Sequence, residues 1–221
     1  MKIKNLLKST IHESLLIGIL LAIVGGFLDI YTYILKGHVF ANAQTGNMVL
    51  MGLKIANHDF QGALYYLLPI SAFFLGIVIS EFIKHKTNNT QYLQWEHLIL
   101  IIEIIILTII AFIPKYIPHL VCNVTIGLVC SLQVNTFRTT NGLPYASTMC
   151  TGNLRSAGQK LSAYLFLHDL KALNHCLRYL IIICFFIVGA IIATFLINIF
   201  GQISLIFCSL LLLIILLILI Y

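Results

Sequence analysis

Long apolar stretches alternate with short polar segments along the whole chain. A membrane-spanning helix needs about 20 mainly apolar residues, because each residue adds about 1.5 Å along the helix axis. Stretches that meet or nearly meet this length are Leu15–Leu35, Ala63–Ile83, His97–Ile113, Ile117–Phe137, Tyr179–Phe200 and Ile203–Tyr221. This pattern predicts an all-α integral membrane protein with six transmembrane helices, in which residues 1–221 form a single membrane domain.

The composition supports a membrane protein and changes how the charge is interpreted. Of the 221 residues, 60% are hydrophobic and 9% are charged, whereas a soluble domain carries about a quarter charged residues. The formal net charge of +6 would suggest nucleic-acid binding in a soluble protein. Here the basic residues cluster between apolar stretches, so we expect a lipid bilayer and no nucleic acid as partner. The six cysteines form no CxxC pair and are interpreted as small buried hydrophobic residues, with no metal or cofactor expected.

The basic residues also indicate how the six stretches are threaded. With the N-terminus in the cytoplasm, only Lys36, Lys54 and Lys115 fall outside. The cytoplasmic side then holds Lys2, Lys4, Lys8, Lys84, Lys86, Arg138, Arg155, Lys160, Lys171 and Arg178. Because Lys and Arg accumulate on the cytoplasmic side, both termini are predicted to be cytoplasmic.

The tripeptide Thr-Gly-Asn occurs twice, in "ANAQTGNMVLMG" and in "STMCTGNLRSAG". A shift of 106 residues (151 − 45) superposes the two motifs and places Asp29 on Asn135. Further matched pairs follow in the same order: Gly52 with Gly158, His58-Asp59 with His168-Asp169, and Gly76 with Gly189. We therefore expect two repeats, at about 13–113 and 117–221. Three helices per repeat would invert the second repeat in the membrane.

Each Thr-Gly-Asn motif is predicted to begin a partial helix that does not cross the membrane. Thr and Asn favour helix N-termini, and Gly lets the backbone bend there. An eight-helix threading, in which both segments cross, is disfavoured because each segment is short and polar.

These segments resemble a known family. "GGFLDIYTY", "NAQTGNMVLMG" and "TMCTGNLRSAG" are similar to the YoaK-like family of bacterial membrane proteins, a family of unknown function. The resemblance covers nearly the whole chain and implies a bacterial inner-membrane protein of about six helices. It implies no activity, substrate or catalytic residue.

Polar residues around the two motifs are the candidate substrate-binding site. A half-helix N-terminus presents free N–H groups and partial positive charge, which suits an anionic or carbonyl-bearing solute. Asp29 lies within the first apolar stretch, where a charge costs about 2.5–3.5 kcal/mol unless it faces protein or water. The predicted site comprises Asp29, Gln44, Thr45, Gly46, Asn47, Gln133, Asn135, Thr151, Gly152 and Asn153. The alternative is that the motifs only cap and pack helices.

Three other acidic residues have simpler interpretations. Glu103 lies in an aliphatic stretch, where it is expected to pair with Arg138 or another polar group, or to be protonated. Asp59 and Asp169 directly precede predicted helices and are interpreted as N-caps.

The function that fits these features best is a transporter or channel for a small solute, with its pathway between the two repeats. The alternative is a non-transporting scaffold or sensor that binds a protein partner. No HExxH, GxSxG or phosphate-binding Gly-rich motif is present, so no enzymatic activity is predicted. Neither the solute nor the oligomeric state follows from the sequence, and oligomerisation is left open.

Overall fold

The computed structural model describes residues 14–87, 94–140, 143–145, 147–148 and 150–220. The predicted basic cluster Lys2, Lys4 and Lys8 lies outside these residues. The helices are α1 (Leu15–Leu35), α2 (Gln44–Ala56), α3 (Phe60–Thr87), α4 (Trp95–Ala111), α5 (His119–Thr136), α6 (Cys150–Leu167), α7 (Leu170–Phe200), a 3₁₀ segment (Gly201–Leu205) and α8 (Ile206–Ile220).

The predicted all-α class is confirmed, with one small addition. The two-residue strands β1 (Thr139–Thr140) and β2 (Leu143–Pro144) pair antiparallel in the connection between α5 and α6. This pairing is too short to form a separate sheet layer. The connection contacts the bundle at Pro144, whose carbonyl accepts the hydroxyl of Tyr179 in α7 at 2.9 Å.

Each predicted apolar stretch lies mainly within a helix, but the helices are not equally suited to cross a membrane. Leu15–Leu35, Phe60–Lys86 and Leu170–Ile220 are long and apolar enough, and the last of these includes α7, the 3₁₀ segment and α8. Helix α4 has only 17 residues, and buried amide side chains make α5 more polar. The structure therefore supports a helical membrane protein.

The outer surface of the helices is unusually apolar. Large hydrophobic side chains are exposed on several helices; Phe74 of α3 is 67% exposed and Ile199 of α7 is 71% exposed. In water such a surface would be costly, whereas lipid solvates it without penalty. Four cysteines are buried as predicted, Cys150 is half-buried, and Cys184 is instead exposed on α7.

Helices from the two halves of the chain pack against each other. Helix α1 packs against α7, and α5 packs against α3. The short helices α2 and α6 each pack against the helix that follows them in sequence, and α4 packs against α8. The main apolar core includes Leu28, Leu107, Val129 and Leu212 and therefore joins α1, α4, α5 and α8.

Glycines allow the closest of these crossings. A Cβ on Gly189 of α7 would collide with the backbone of Ile23 in α1, and a Cβ on Gly76 of α3 would collide with Ser131 in α5. Gly76 and Gly189 are a matched pair in the sequence duplication. Both therefore lie where a helix of one half crosses a helix of the other.

Candidate functional site

Both Thr-Gly-Asn motifs lie in the first turn of a short helix, α2 or α6. The predicted partial helices are therefore present. The expected role of Thr and Asn as helix starters is wrong for α2, because its N-cap is Ala43, without a side-chain capping bond. Asp29, which lies 14 residues earlier in sequence (43 − 29), supplies the missing acceptor.

The carboxylate of Asp29 occupies the N-terminal end of α2. Its Oδ1 accepts the backbone N–H of Asn42 at 2.6 Å and that of Ala43 at 3.4 Å. Asp29 is only 6% exposed. A negative charge at this end is favourable, because unpaired N–H groups carry the positive end of the helix dipole. Asp29 thus ties α1 to the start of α2.

Asn47 holds the loop that precedes α2. Its Oδ1 accepts the N–H of Phe40 at 2.9 Å, and its Nδ2 donates to the carbonyl of Phe40 at 2.8 Å and to Oε1 of Gln44 at 2.9 Å. The Asn47 side chain is fully buried. An amide offers both a donor and an acceptor, so Asn47 pairs with both backbone groups of Phe40 at once.

One face of α1 receives polar groups from both halves of the chain. Leu21, Gly25 and Asp29 are spaced by four residues and share this face. Asn42 donates through Nδ2 to the carbonyl of Gly25 at 3.1 Å, and Gln133 donates through Nε2 to the carbonyl of Leu21 at 3.3 Å. Asn42 precedes the first motif, and Gln133 lies in α5 of the second half.

The residues before the second motif reach the same face. Gln133 also donates to Oγ of Ser147 at 3.3 Å. A Cβ on Gly25 would lie 2.5 Å from Cγ2 of Thr148, so the absence of a side chain at Gly25 allows Thr148 to approach. We call the set Gly25, Asp29, Asn42, Gln133 and Thr148 the loop junction, since the segments preceding both motifs meet there.

Three polar atoms of the loop junction are buried without a partner among the described residues. They are Oδ1 of Asn42, Oε1 of Gln133 and Oγ1 of Thr148. The amide orientations are fixed, because each amide nitrogen already donates to a backbone carbonyl and the remaining atom must be oxygen. Buried polar atoms normally find a partner, so the junction has unused capacity to accept hydrogen bonds.

The predicted site residues separate into buried and exposed groups. Gln44 and Asn153 are buried, and Gln44 donates to the carbonyl of Ala41 at 2.9 Å. Gly46 packs against the ring of Phe40. Thr45, Thr151 and Gly152 are exposed and lie on the outward faces of α2 and α6.

Asn135, the sequence counterpart of Asp29, lies in a different cluster. Its Nδ2 donates to Oγ of Ser80 at 2.6 Å and to Oε1 of Glu81 at 2.9 Å. Arg138 donates to the same Glu81 oxygen at 2.9 Å. The structure therefore does not bring Asp29 and Asn135 together in one site.

Glu103 does not pair with Arg138, which excludes the first of the alternatives that the sequence suggested for it. Arg138 is bound to Glu81, and Glu103 is fully buried in α4. Neither of its carboxylate oxygens has a hydrogen-bond partner among residues that the structure describes.

A second polar cluster, not recognised in the sequence, surrounds the end of α1. Lys36 is only 4% exposed, and its Nζ donates to Oε1 of Gln202 at 2.9 Å. Gln202 in turn donates to the carbonyls of Ile110 and Ile113 at 3.1 and 2.7 Å. Asn123 donates to the carbonyl of Lys36 at 2.8 Å. The sequence signal for this cluster is the amide of Asn123 within an apolar stretch. Lys36 was interpreted only as a marker of membrane topology.

The two matched His-Asp pairs have the same local structure. His58 and His168 have positive φ values of 57° and 52°. Asp59 accepts the N–H of Gly62 at 2.8 Å, and Asp169 accepts the N–H of Lys171 at 2.9 Å. The predicted N-cap roles of both aspartates are thus confirmed.

Asp59 also forms an exposed ion pair beside an open pocket. Its Oδ2 lies 2.8 Å from Nζ of Lys54. This hydrogen bond lowers the pKa of Asp59, helped by the Gly62 N–H, and raises the pKa of Lys54. The pocket has a volume of about 470 Å³ and is lined by Gly37, His38, Lys54, Asp59, Gln61, Gly62, Tyr65 and Tyr66.

Helices long enough to cross a membrane, an apolar outer surface and a buried polar junction define a helical membrane protein. The chain belongs to the family described as "Protein of unknown function (DUF1275)", whose model matches residues 17–218. It is similar to "UPF0700 transmembrane protein YoaK" of Bacillus subtilis (strain 168), with 30% identity over 183 residues that cover 78% of this chain and 79% of the relative. No solved structure matches the chain. The resemblance inferred from the Thr-Gly-Asn segments is confirmed.

Proposed function

We propose that this protein is a transporter or channel for a small solute, without a catalytic step. The observation that carries the proposal is the loop junction. There, segments preceding both Thr-Gly-Asn motifs meet a buried carboxylate and three polar atoms that have no partner among the described residues. Irregular backbone at membrane depth is tolerated where it is buried in protein or lines a cavity. Polar sites of transporters typically lie where two repeats meet.

The proposed architecture is six spans arranged as two inverted repeats. Each helix of α1–α4 can be exchanged in order with its counterpart in α5–α8, so that α1 takes the place of α5 and α3 that of α7. This exchange turns the packing of α1 on α7 into that of α5 on α3. It also maps α1 on α8 onto α5 on α4, and α2 on α3 onto α6 on α7. A two-fold relation between the halves accounts for all of these pairings. The shared geometry of the two His-Asp turns adds local support.

Two polar clusters fit the ends of a pathway through this architecture. In a six-span threading with both termini in the cytoplasm of a bacterial inner membrane, Lys36, Ile113 and Gln202 fall on the outer side. Glu81 and Arg138 fall on the cytoplasmic side. Each cluster links the two halves by hydrogen bonds, so each would have to rearrange if the repeats moved relative to each other.

The test is solute flux in proteoliposomes. Purified protein is reconstituted, and uptake is measured for a panel of small cations, amines, amino acids, sugars and carboxylates. We expect uptake of at least one solute. Asp29→Asn should reduce it at least tenfold, because the substitution keeps an acceptor for α2 but removes the charge. Asp59→Asn is the matched control, since Asp59 also caps a helix but lies at the exposed turn. Absence of flux across the panel, in vesicles shown to contain folded protein, would contradict the proposal.

A scaffold or sensor role is the competing proposal. It is favoured by the outward face of α6, where Leu154 and Leu161 are exposed next to the exposed Arg155. A protein partner on this face would make Leu154→Ser disruptive in cells while leaving Asp29→Asn neutral. The transporter proposal expects the reverse.

A further inference from the structure

We propose that the loop junction binds a small monovalent cationic group, either an alkali cation or an ammonium. This inference rests on the proposed function and specifies its ligand class. The chain itself already fills the N-terminal end of α2, where the sequence suggested an anionic or carbonyl-bearing solute. Asp29 places a carboxylate on those N–H groups, so an anion would meet a negative charge there.

The three junction atoms that lack a partner within the described part of the chain are all oxygens. The amide nitrogens of Asn42 and Gln133 are bound to the carbonyls of Gly25 and Leu21. The remaining amide atoms are therefore Oδ1 and Oε1, which can only accept hydrogen bonds. Thr148 presents Oγ1, which accepts through its lone pairs. Hard cations bind carboxylate, carbonyl and hydroxyl oxygens, and an ammonium donates hydrogen bonds to the same atoms.

The residues that carry these oxygens contact one short stretch of α1. Asn42 contacts the carbonyl of Gly25 through its side-chain amide and the carboxylate of Asp29 through its backbone N–H. Thr148 packs on Gly25, and Gln133 donates to the carbonyl of Leu21, which lies one turn, about 5.4 Å, towards the start of α1. All four polar residues are at most 8% exposed: Asp29 6%, Asn42 2%, Gln133 1% and Thr148 4%.

The charge of the junction favours a monovalent ligand. Asp29 contributes the single carboxylate of the junction, and the N–H groups of Asn42 and Ala43 hold it in place. A buried charge is tolerated when it is paired, and one positive charge would neutralise this carboxylate. A divalent cation would leave one positive charge buried and unpaired.

Thr148→Val is the most informative variant. Valine keeps the shape of threonine but removes Oγ1, which has no partner among the described residues, so the fold loses no hydrogen bond that the structure describes. The matched control is Thr136→Val in α5. Thr136 is also buried, but its hydroxyl donates to the carbonyl of Leu132 in its own helix.

The experiment measures thermal stability of the full-length protein in nanodiscs. NaCl, KCl, LiCl or methylammonium chloride is titrated against choline chloride at constant ionic strength, because the quaternary ammonium of choline has no N–H group to donate. A ligand that binds only the folded protein raises its stability with concentration. We expect stabilisation by at least one alkali cation or by methylammonium. Thr148→Val should raise the half-saturating cation concentration about tenfold, because binding loses one hydrogen bond to a charge. Thr136→Val should leave this concentration unchanged.

Two results would overturn the cation site. One is a wild-type protein that responds to no cation more than to choline, as expected if only water occupies the junction. The other is an equal response of wild type and Thr148→Val. The alkali and methylammonium arms distinguish a bound metal cation from an ammonium-bearing solute.

Flux measured in parallel separates this inference from the proposed function. Flux without specific cation stabilisation would refute the cation site and leave the transporter proposal standing. Specific cation stabilisation without flux of any panel solute would do the opposite.

Discussion

At the scale of single residues, Asn47 shows that the Thr-Gly-Asn motif has a structural task. Its amide makes both hydrogen bonds to the backbone of Phe40 and one to Gln44, with no exposed surface. The amide therefore substitutes for a backbone pairing partner. The motif fixes the loop that leads into α2, and the loop in turn positions Asn42 at the junction.

Asn47→Ala should lower the free energy of unfolding by roughly 2 kcal/mol, because it leaves two partly buried backbone groups of Phe40 without partners. Chemical denaturation of the protein in detergent measures this difference. Asn57→Ala is the control, since Asn57 is an exposed asparagine just after α2. Equal stability of Asn47→Ala and wild type would show that the loop does not depend on this amide.

The ion pair of Asp59 with Lys54 makes a pH-dependent contribution to the turn between α2 and α3. The pKa of Asp59 is lowered from its ordinary value of 3.8. The stabilisation is therefore complete above that value and is lost as the pH falls through the lowered pKa. Lys54→Met should move the pKa of Asp59 back towards 3.8, and Lys115→Met should not change it. NMR titration of ¹³C-labelled aspartate carboxyl groups measures the shift, and an unchanged Asp59 titration in Lys54→Met would contradict the assigned cause.

At the scale of helices, the glycines of the duplication have different surroundings. Gly189 faces the backbone of Ile23 across the α1–α7 crossing, whereas nothing lies within 4 Å of a Cβ built on Gly158 of α6. A matched pair of substitutions can therefore separate the packing of a helix from its intrinsic helix propensity.

Gly189→Ala should destabilise the protein by about 1–3 kcal/mol, since the added methyl meets backbone that cannot move aside without separating the helices. Gly158→Ala should stabilise it by about 0.5–1 kcal/mol, because alanine is the better helix former and the site is open. Both values come from the same denaturation measurement. Two variants with effects of the same sign would show that the crossing is not as close as described.

The helices themselves follow from apolar length and local signals. The first predicted span coincides with α1, and Asp169 marks the start of α7 as expected. The polar contacts of the site could not be obtained this way, because they depend on which helices become neighbours. Asn135 occupies the position in the second repeat that Asp29 occupies in the first, yet the packing of α5 on α3 brings Asn135 to Glu81. Thr148 and Asn42 could be assigned to the site only from the structure, in which the segments preceding both motifs pack against Gly25.

At the scale of the whole molecule, the central question is whether the two halves have opposite orientations. The packing exchange between α1–α4 and α5–α8 is what two such halves would produce. If the two halves instead had the same orientation in the membrane, both His-Asp turns would lie on one side of it. These turns are the most direct markers of orientation, since they share a local structure and His58 and His168 are exposed.

Cysteine labelling in intact cells can decide between these arrangements. In a variant without native cysteines, His58→Cys should react with a membrane-impermeant maleimide from outside, because the α2–α3 turn is predicted to be external. His168→Cys should react only after permeabilisation, because the α6–α7 turn is predicted to be cytoplasmic. Cysteine has no special tolerance for positive φ, so retained expression and thermal stability of both variants are required controls. Labelling of both positions from the same side would exclude inverted repeats. The loop junction would then join two segments that enter from one face, and a pathway between oppositely oriented halves would have no basis.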